Sequence, residues 1–208
     1  MADITDVGQA LVALIAGAAY PNGNAAPSIG NCPVLVYQGW PNPEQLASDL
    51  PIGKVHISVF PRPGDKKTWV GQGTPQAGTT NPDGSVNYFQ EIQRRKRDFQ
   101  ITVWASTHDL RDPVAKAIDS ALANINVLPV SDGSSAILRY STSAQDDSSQ
   151  KQGIYRRDLF YSVEYSIVLT SVAWPVTKHV VNVNVSAPQA NPSPPATPGS
   201  ANLNITNT

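Results

Sequence analysis

The chain is short of the residue types that most often carry chemistry. It has one cysteine, Cys32, in 208 residues. That excludes an intramolecular disulfide and a cysteine cage for zinc. Its histidines, His56, His108 and His179, fall in different predicted elements without HExxH or similar spacing, so no metal or catalytic constellation forms around them. Charged residues are 15 % of the chain and the formal net charge is −1. No global field therefore recruits nucleic acid or an anionic membrane. No window reaches the roughly 18 apolar residues of a membrane span. Leu11–Ala19 imitates a signal-peptide core, but Asp3 and Asp6 precede it with no Lys or Arg, whereas a secretory leader starts positive. The expectation is a soluble protein made and kept in a cytoplasm.

Short motifs fail in the same direction. Gly71-Gln72-Gly73 has Gln76 where a dinucleotide fingerprint needs its third glycine, and no strand–turn–helix surrounds it. Asp146-Asp147 sits in a Ser/Gln-rich stretch, as a solvated pair rather than an acid–base dyad. Asn184-Val-Ser186 and Asn204-Ile-Thr206 match the glycosylation pattern, which means little without a secretion signal. No catalytic, cofactor-binding or metal residue is expected, and the chain does not read as an enzyme.

What is present is periodicity. In Leu159–Thr170 the odd positions Leu159, Tyr161, Val163, Tyr165, Ile167 and Leu169 are apolar, and the even ones are mostly polar. That predicts a strand with one face on a core, about twice the usual length of roughly 5–6 residues. Asp3 or Thr5 caps a first helix to about Ala19, with Val7, Leu11, Leu14, Ile15 and Ala18 on one stripe. Val34–Gln38 reads as a strand. Asn42, Pro43 and Gln45 start a short helix to about Leu50 in a capping-box pattern. Lys54–Phe60 is a strand, and Pro61–Ser85 an aperiodic Gly/Pro/Thr-rich loop, a length that is usually functional. Val86–Gln93 and Asp98–Ser106 read as strands around a basic turn, Arg94-Arg95-Lys96-Arg97. Thr107 or Asp109 caps a helix to about Ile125, with Pro113 in its first turn. Short strands Val127–Val130 and Ala136–Thr142 and a polar loop Ser143–Gln152 precede the long strand. Val181, Val183 and Val185 alternate with polar residues as one more strand.

The fold class that follows is α+β: a mostly antiparallel β-sheet with two main amphipathic helices packed on one face. Residues 1–174 form one domain and 175–208 an extended Pro/Asn-rich arm. From His179 onward there is no Asp, Glu, Lys or Arg, so the arm cannot bury enough apolar surface to order itself.

Several local wordings point further. They are Ala19-Tyr20-Pro21-Asn22-Gly23, Val36-Tyr37-Gln38-Gly39-Trp40-Pro41, Val55-His56-Ile57-Ser58-Val59-Phe60-Pro61, Trp104-Ala105, and Ile154–Tyr165 with its Tyr155-Arg156-Arg157-Asp158-Leu159-Phe160-Tyr161. Over about residues 3–172, this order and wording resembles the tail-terminator (tail-completion) proteins of tailed bacteriophages. The arm after Trp174 is not part of that pattern. The resemblance implies a subunit of a hexameric ring on the head-proximal end of the tail tube. The ring would stop tube polymerisation and join tail to neck. Implied partners are further copies of the chain, the tail tube protein, a head–tail connector or neck protein, and the sheath if the tail contracts. Genomic DNA passes through without specific binding, no membrane is involved, and no cofactor is expected. The localisation implied is the virion tail or neck, assembled in a bacterial host's cytoplasm. Alternatives are another neck or tail-shell component or, from a different class, a nucleic-acid-binding module using the basic run.

Candidate interaction residues are Arg94, Arg95, Lys96 and Arg97, as a basic rim; Trp69 in the long loop; Phe160 and Val168 on the wetter face of the long strand; and Val181, Val183 and Val185. The last three are expected to add a strand to a sheet edge of this or a neighbouring chain.

Overall fold

The computed structural model describes residues 3–23 and 27–174, together with the backbone of 183–185 and 201–203. Helix α1 spans Ile4–Ala19, and Asp3 and Asp6 close a capping box at its start. Its stripe Val7, Leu11, Ile15 and Ala19 is buried. Strand β1 is Val34–Gln38. Helix α2 is Pro43–Asp49, capped by Asn42, whose side chain accepts from the Glu44 N–H. A 3-10 turn, Leu50–Ile52, ends on Gly53 at φ 79°, a conformation glycine adopts without steric cost.

The three longest strands are β2 (Val55–Val70), β4 (Val86–Ala105) and β7 (Tyr155–Ala173). Between them come β3 (Gln76–Thr80), α3 (His108–Ala123), β5 (Val127–Pro129) and β6 (Ser135–Asp146). The sheet order is β1-β2-β4-β7-β6-β5, with β3 paired to β4. β1 runs parallel to β2; β2–β4, β5–β6 and β6–β7 are antiparallel. The fold is α+β with a mixed, mainly antiparallel sheet.

Two compact units divide the chain: Met1–Gln76 with Phe89–Ser171, and Ala77–Tyr88 with the chain from Val172 onward. In the first, α1 and α3 cover one face of the sheet. Val7, Leu11 and Ile15 of α1 and Val114, Ile118 and Leu122 of α3 meet Val55, Ile57 and Val59 of β2, Phe99, Ile101 and Val103 of β4, and Leu159, Tyr161 and Val163 of β7. Each such side chain adds about 1.5–3 kcal/mol relative to exposure, so this layer holds the unit together. Within the second unit the chain turns at Asn81–Ser85, where Ser85 donates its N–H to Asp83 and Gly84 takes φ 86°. A side chain on Gly84 would meet the Trp174 ring at 3.7 Å. The backbone of Val183–Val185 (β8) pairs antiparallel with Ala201–Leu203 (β9).

Several expectations are corrected. Pro61–Ser85 is not a structureless loop: β2 continues to Val70, and β3 follows. The register slips between Pro61 and Asp65, and this bulge, with Gly64 at φ 85°, absorbs Pro61 and Pro63. Prolines are tolerated there because the outer edge of β2 is unpaired beyond β1. The basic run is not a turn. β4 is continuous for 20 residues, because Arg94–Arg97 contains no Gly, Pro or Asn to reverse the chain and pairs along Asp65–Trp69 of β2. Ser143–Asp146 belongs to β6. Pro113 lies inside α3, which is capped at Thr107, and therefore in the second turn. Leu169 does not join the core; it is 51 % exposed, since the helices end short of it.

Candidate interaction surface

The basic run is split by the strand that contains it. Arg95 and Arg97 reach toward Asp65, at 3.7 and 3.9 Å, and Arg95 acts on the core-facing Tyr165 phenol. Lys96 lies on the opposite face. It lines a cleft of about 300 Å³ with Lys66, Arg139, Asp98 and Ser162. Arg94 is held by the Glu91 carboxylate at 2.5 Å. That bond keeps Glu91 below the usual carboxylate range and raises Arg94 further. Four consecutive cations therefore do not make one field.

The sheet face away from α1 and α3 is the more telling one. Near β1 it is closed by α2 and a buried polar group. Asp49 accepts from Lys54 Nζ at 2.9 Å and lies 3.1 Å from His56 Nε2. His56 Nδ1 is 3.1 Å from the Tyr37 hydroxyl. The Lys54 hydrogen bond holds Asp49 below its usual value, and burial pushes Tyr37 up to about 12. His56 is 1 % exposed. The arrangement anchors α2 to β2. Beside it, Asp158 accepts from Thr102, Gln100 and Arg156.

Next along the same face come aromatics and arginines. Trp40 packs on Phe60 at 5.2 Å and on Trp104 at 6.2 Å. Arg156 sits 5.3 Å over Trp104, and Arg62 5.3 Å over Phe160. Trp104, opposite in parity to Phe99, Ile101 and Val103 on β4, thus belongs to a second packing layer. Trp40 is 49 % exposed. Tryptophan, phenylalanine and arginine on one half-wet face match the composition of interface centres. Phe160 is half-buried there, beneath Arg62.

Val168 lies elsewhere, with Phe89, Gly133 and Thr170 around a cleft of about 320 Å³. Trp69 is part-exposed on β2, and a side chain at Gly71 would meet its indole at 2.8 Å. Glycine there leaves the ring room. Val183 and Val185 lie on β8, paired to β9; Val181 lies outside the described residues. The candidates are therefore spread over several places, with Phe160 in the aromatic–arginine row and Lys96 in the basic cleft beside it.

Sequence reasoning missed the Tyr37–His56–Asp49–Lys54 group and the Arg111 anchor. Arg111 is 1 % exposed and ion-paired to Asp112 and Asp147, so Asp147 holds α3 to the turn before β7 and is not a solvated acid. No local pattern announces these contacts; the one clue was polar residues alternating with apolar ones on β2. Among the described residues no cluster of His, Cys, Asp or Glu is built to hold a metal, and no helix is long and apolar enough to cross a membrane.

No family model and no curated protein matches the chain. Among solved structures it is similar to the sheath/tube terminator, in the extended state, of an extracellular contractile injection system. Identity is 18 % over 91 % of this chain and 66 % of that one, with a TM-score of 0.48. It is also similar to a component of the virion of a native gene transfer agent particle, at 14 % identity, 79 % of this chain, 100 % of that one and a TM-score of 0.39.

Proposed function

We propose that the chain is a structural subunit of a tailed-phage or phage-like particle, of the tail-terminator kind. Copies form a ring, expected to be hexameric, at the head-proximal end of the tail tube. The ring ends tube polymerisation and joins the tail to a neck or connector protein, with sheath as a further partner if the tail is contractile. Genomic DNA passes through the ring without being read. No catalysis and no cofactor belong to this role.

One observation supports the reading beyond the resemblance of residues 3–172. The sheet outgrows its helices: β2 is buried from Val55 to Val59 and exposed from Pro63 to Val70, and β7 is exposed from Leu169 onward. A strand system that leaves Trp69, Val70, Phe89 and Leu169 part-exposed suits a protein whose remaining apolar surface is covered by other subunits.

Electron microscopy of particles made without this chain tests the proposal. The expected result is tails of uncontrolled length, or tails detached from heads. Tails of normal length joined to heads would overturn it.

A further inference from the structure

The sheet has an edge that no neighbouring strand pairs along much of its length. β5 pairs with β6 only at Ser135–Ile137, and the Leu138 N–H bonds to Asn126 O. From Arg139 to Asp146 no strand lies on the far side of β6 among the described residues, and every residue there is exposed. Native proteins blunt such edges with Lys, Pro, other charges or bulges, and this one carries a bulge at Ser141 and charges only at its ends, Arg139 and Asp146. The free edge of β2 follows that rule, with Pro61, Pro63, Lys66 and Lys67. Tyr140–Gln145 of β6 has neither Lys nor Pro.

The side-chain pattern of this edge is complementary to itself. Cross-strand partners share a face. Arg139 pairs with Ser162, Thr142 with Phe160, Ala144 with Asp158 and Asp146 with Arg156, all on the face away from the helices. Tyr140, Ser143 and Gln145 pair with Tyr161, Leu159 and Arg157 on the helix side. Ser141 is the extra residue at the slip between Tyr140 and Thr142.

Laying a second copy antiparallel, with Ser143 opposite its own counterpart, puts Thr142 opposite Ala144, Tyr140 opposite Gln145 and Arg139 opposite Asp146. Every pair then shares a face, and the bulge is accommodated in both copies. Arg139 has no ion-pair partner within its own chain among the described residues. Asp146 is held below its usual value first by the Ser148 hydroxyl and backbone, which keeps it charged for the bond.

We propose that two copies of this chain pair through the β6 edge, antiparallel, about a twofold axis beside Ser143. Two Arg139–Asp146 ion pairs close its ends. The contact is isologous, so it ends at two copies and cannot by itself build a ring. It covers the stretch of β6 that no strand pairs among the described residues. The pairing does not require the terminator role.

The decisive probe is Ser143→Cys in a Cys32→Ser background. Opposite residues in an antiparallel pair have Cβ atoms about 4.5–5.5 Å apart, close enough for a disulfide after a small shift. Mild oxidation should give a covalent dimer, while Ser120→Cys on exposed α3 should not. By analytical ultracentrifugation, Arg139→Asp and Asp146→Arg should each weaken the dimer about tenfold through like-charge juxtaposition. The double exchange should restore it. The proposal fails if the full chain sediments as a monomer at all concentrations. It also fails if it assembles without the Ser143→Cys cross-link, or if both single variants dimerise like the parent. Far-UV circular dichroism checks that the exposed substitutions leave the fold intact.

Discussion

Thr102 Oγ1 donates a 2.6 Å hydrogen bond to Asp158 Oδ1, tying β4 to β7 on the sheet face that α1 and α3 do not cover. Asp158 is 3 % exposed and also receives Arg156, whose hydrogen bond raises the guanidinium pKa. Asp158→Ala should destabilise by about 2–3 kcal/mol, somewhat less than a fully buried pair because Arg156 can re-enter water. Asp158→Asn should lose less than Asp158→Ala. Urea unfolding of the full chain measures both, and an alanine effect under 1 kcal/mol would show that the seam is carried by packing alone.

Pro113 lies inside α3. Its missing N–H leaves the Asp109 carbonyl without the helical bond it would otherwise receive. Pro113→Ala should stabilise by about 1–3 kcal/mol, read as a higher thermal midpoint. A lower midpoint would mean that the proline restrains the unfolded chain more than it costs the helix.

Trp69 and Phe160 test the surface. Trp69→Ala and Phe160→Ala should leave the thermal midpoint nearly unchanged for Trp69 and modestly lower for Phe160, which packs under Arg62. Both should reduce incorporation into particles, scored by immunoblot of purified virions. Normal incorporation of both would remove these residues from the interaction surface.

Acid stability follows from depressed carboxylates, three of which are held by Lys, Arg or Gln side chains. Lys54 holds Asp49 low, Arg94 holds Glu91 low, and Gln145 followed by Arg111 holds Asp147 low. A depressed folded pKa stabilises above the unfolded value, which is 3.8 for aspartate and 4.5 for glutamate. That stability is lost as pH falls through the folded values. The urea midpoint should be flat from neutrality to about pH 5 and then drop steeply toward pH 2. In alkali the sign reverses for Tyr37, which burial pushes from 10.0 up to about 12. Stability should decline across that interval, and Tyr37→Phe should remove part of the decline.

Deleting residues 179–208 tests the arm. If it adds a strand to a neighbouring subunit, the truncated chain should keep its thermal midpoint and lose virion association. Unchanged association would end that idea.

The helices, β1 and the core face of β7 were legible in the sequence because each is a local pattern: a cap plus a stripe, or strict alternation. The long reach of β2 and β4 was not. Pro61, Pro63 and Gly64 read as loop until a bulge and an unpaired edge accommodate them. Arg94–Arg97 read as a turn until the pairing with Asp65–Trp69 holds it extended. His56 looked idle because its partners, Asp49 on α2 and Tyr37 on β1, are set by tertiary packing. Phe160 could be singled out from parity alone, whereas the Trp40–Phe60–Trp104 cluster depends on strand order.

The mismatch between strand length and helix cover has a kinetic side. Along β7, side chains pass from fully buried at Val163 to half-exposed at Leu169, although the strand is continuous to Ala173. Amide exchange should therefore not be uniform along it. Protons near Leu159–Tyr165 should exchange only through global unfolding, and those beyond Leu169 through local fraying of far lower free energy. A single strand would then belong to two cooperative units.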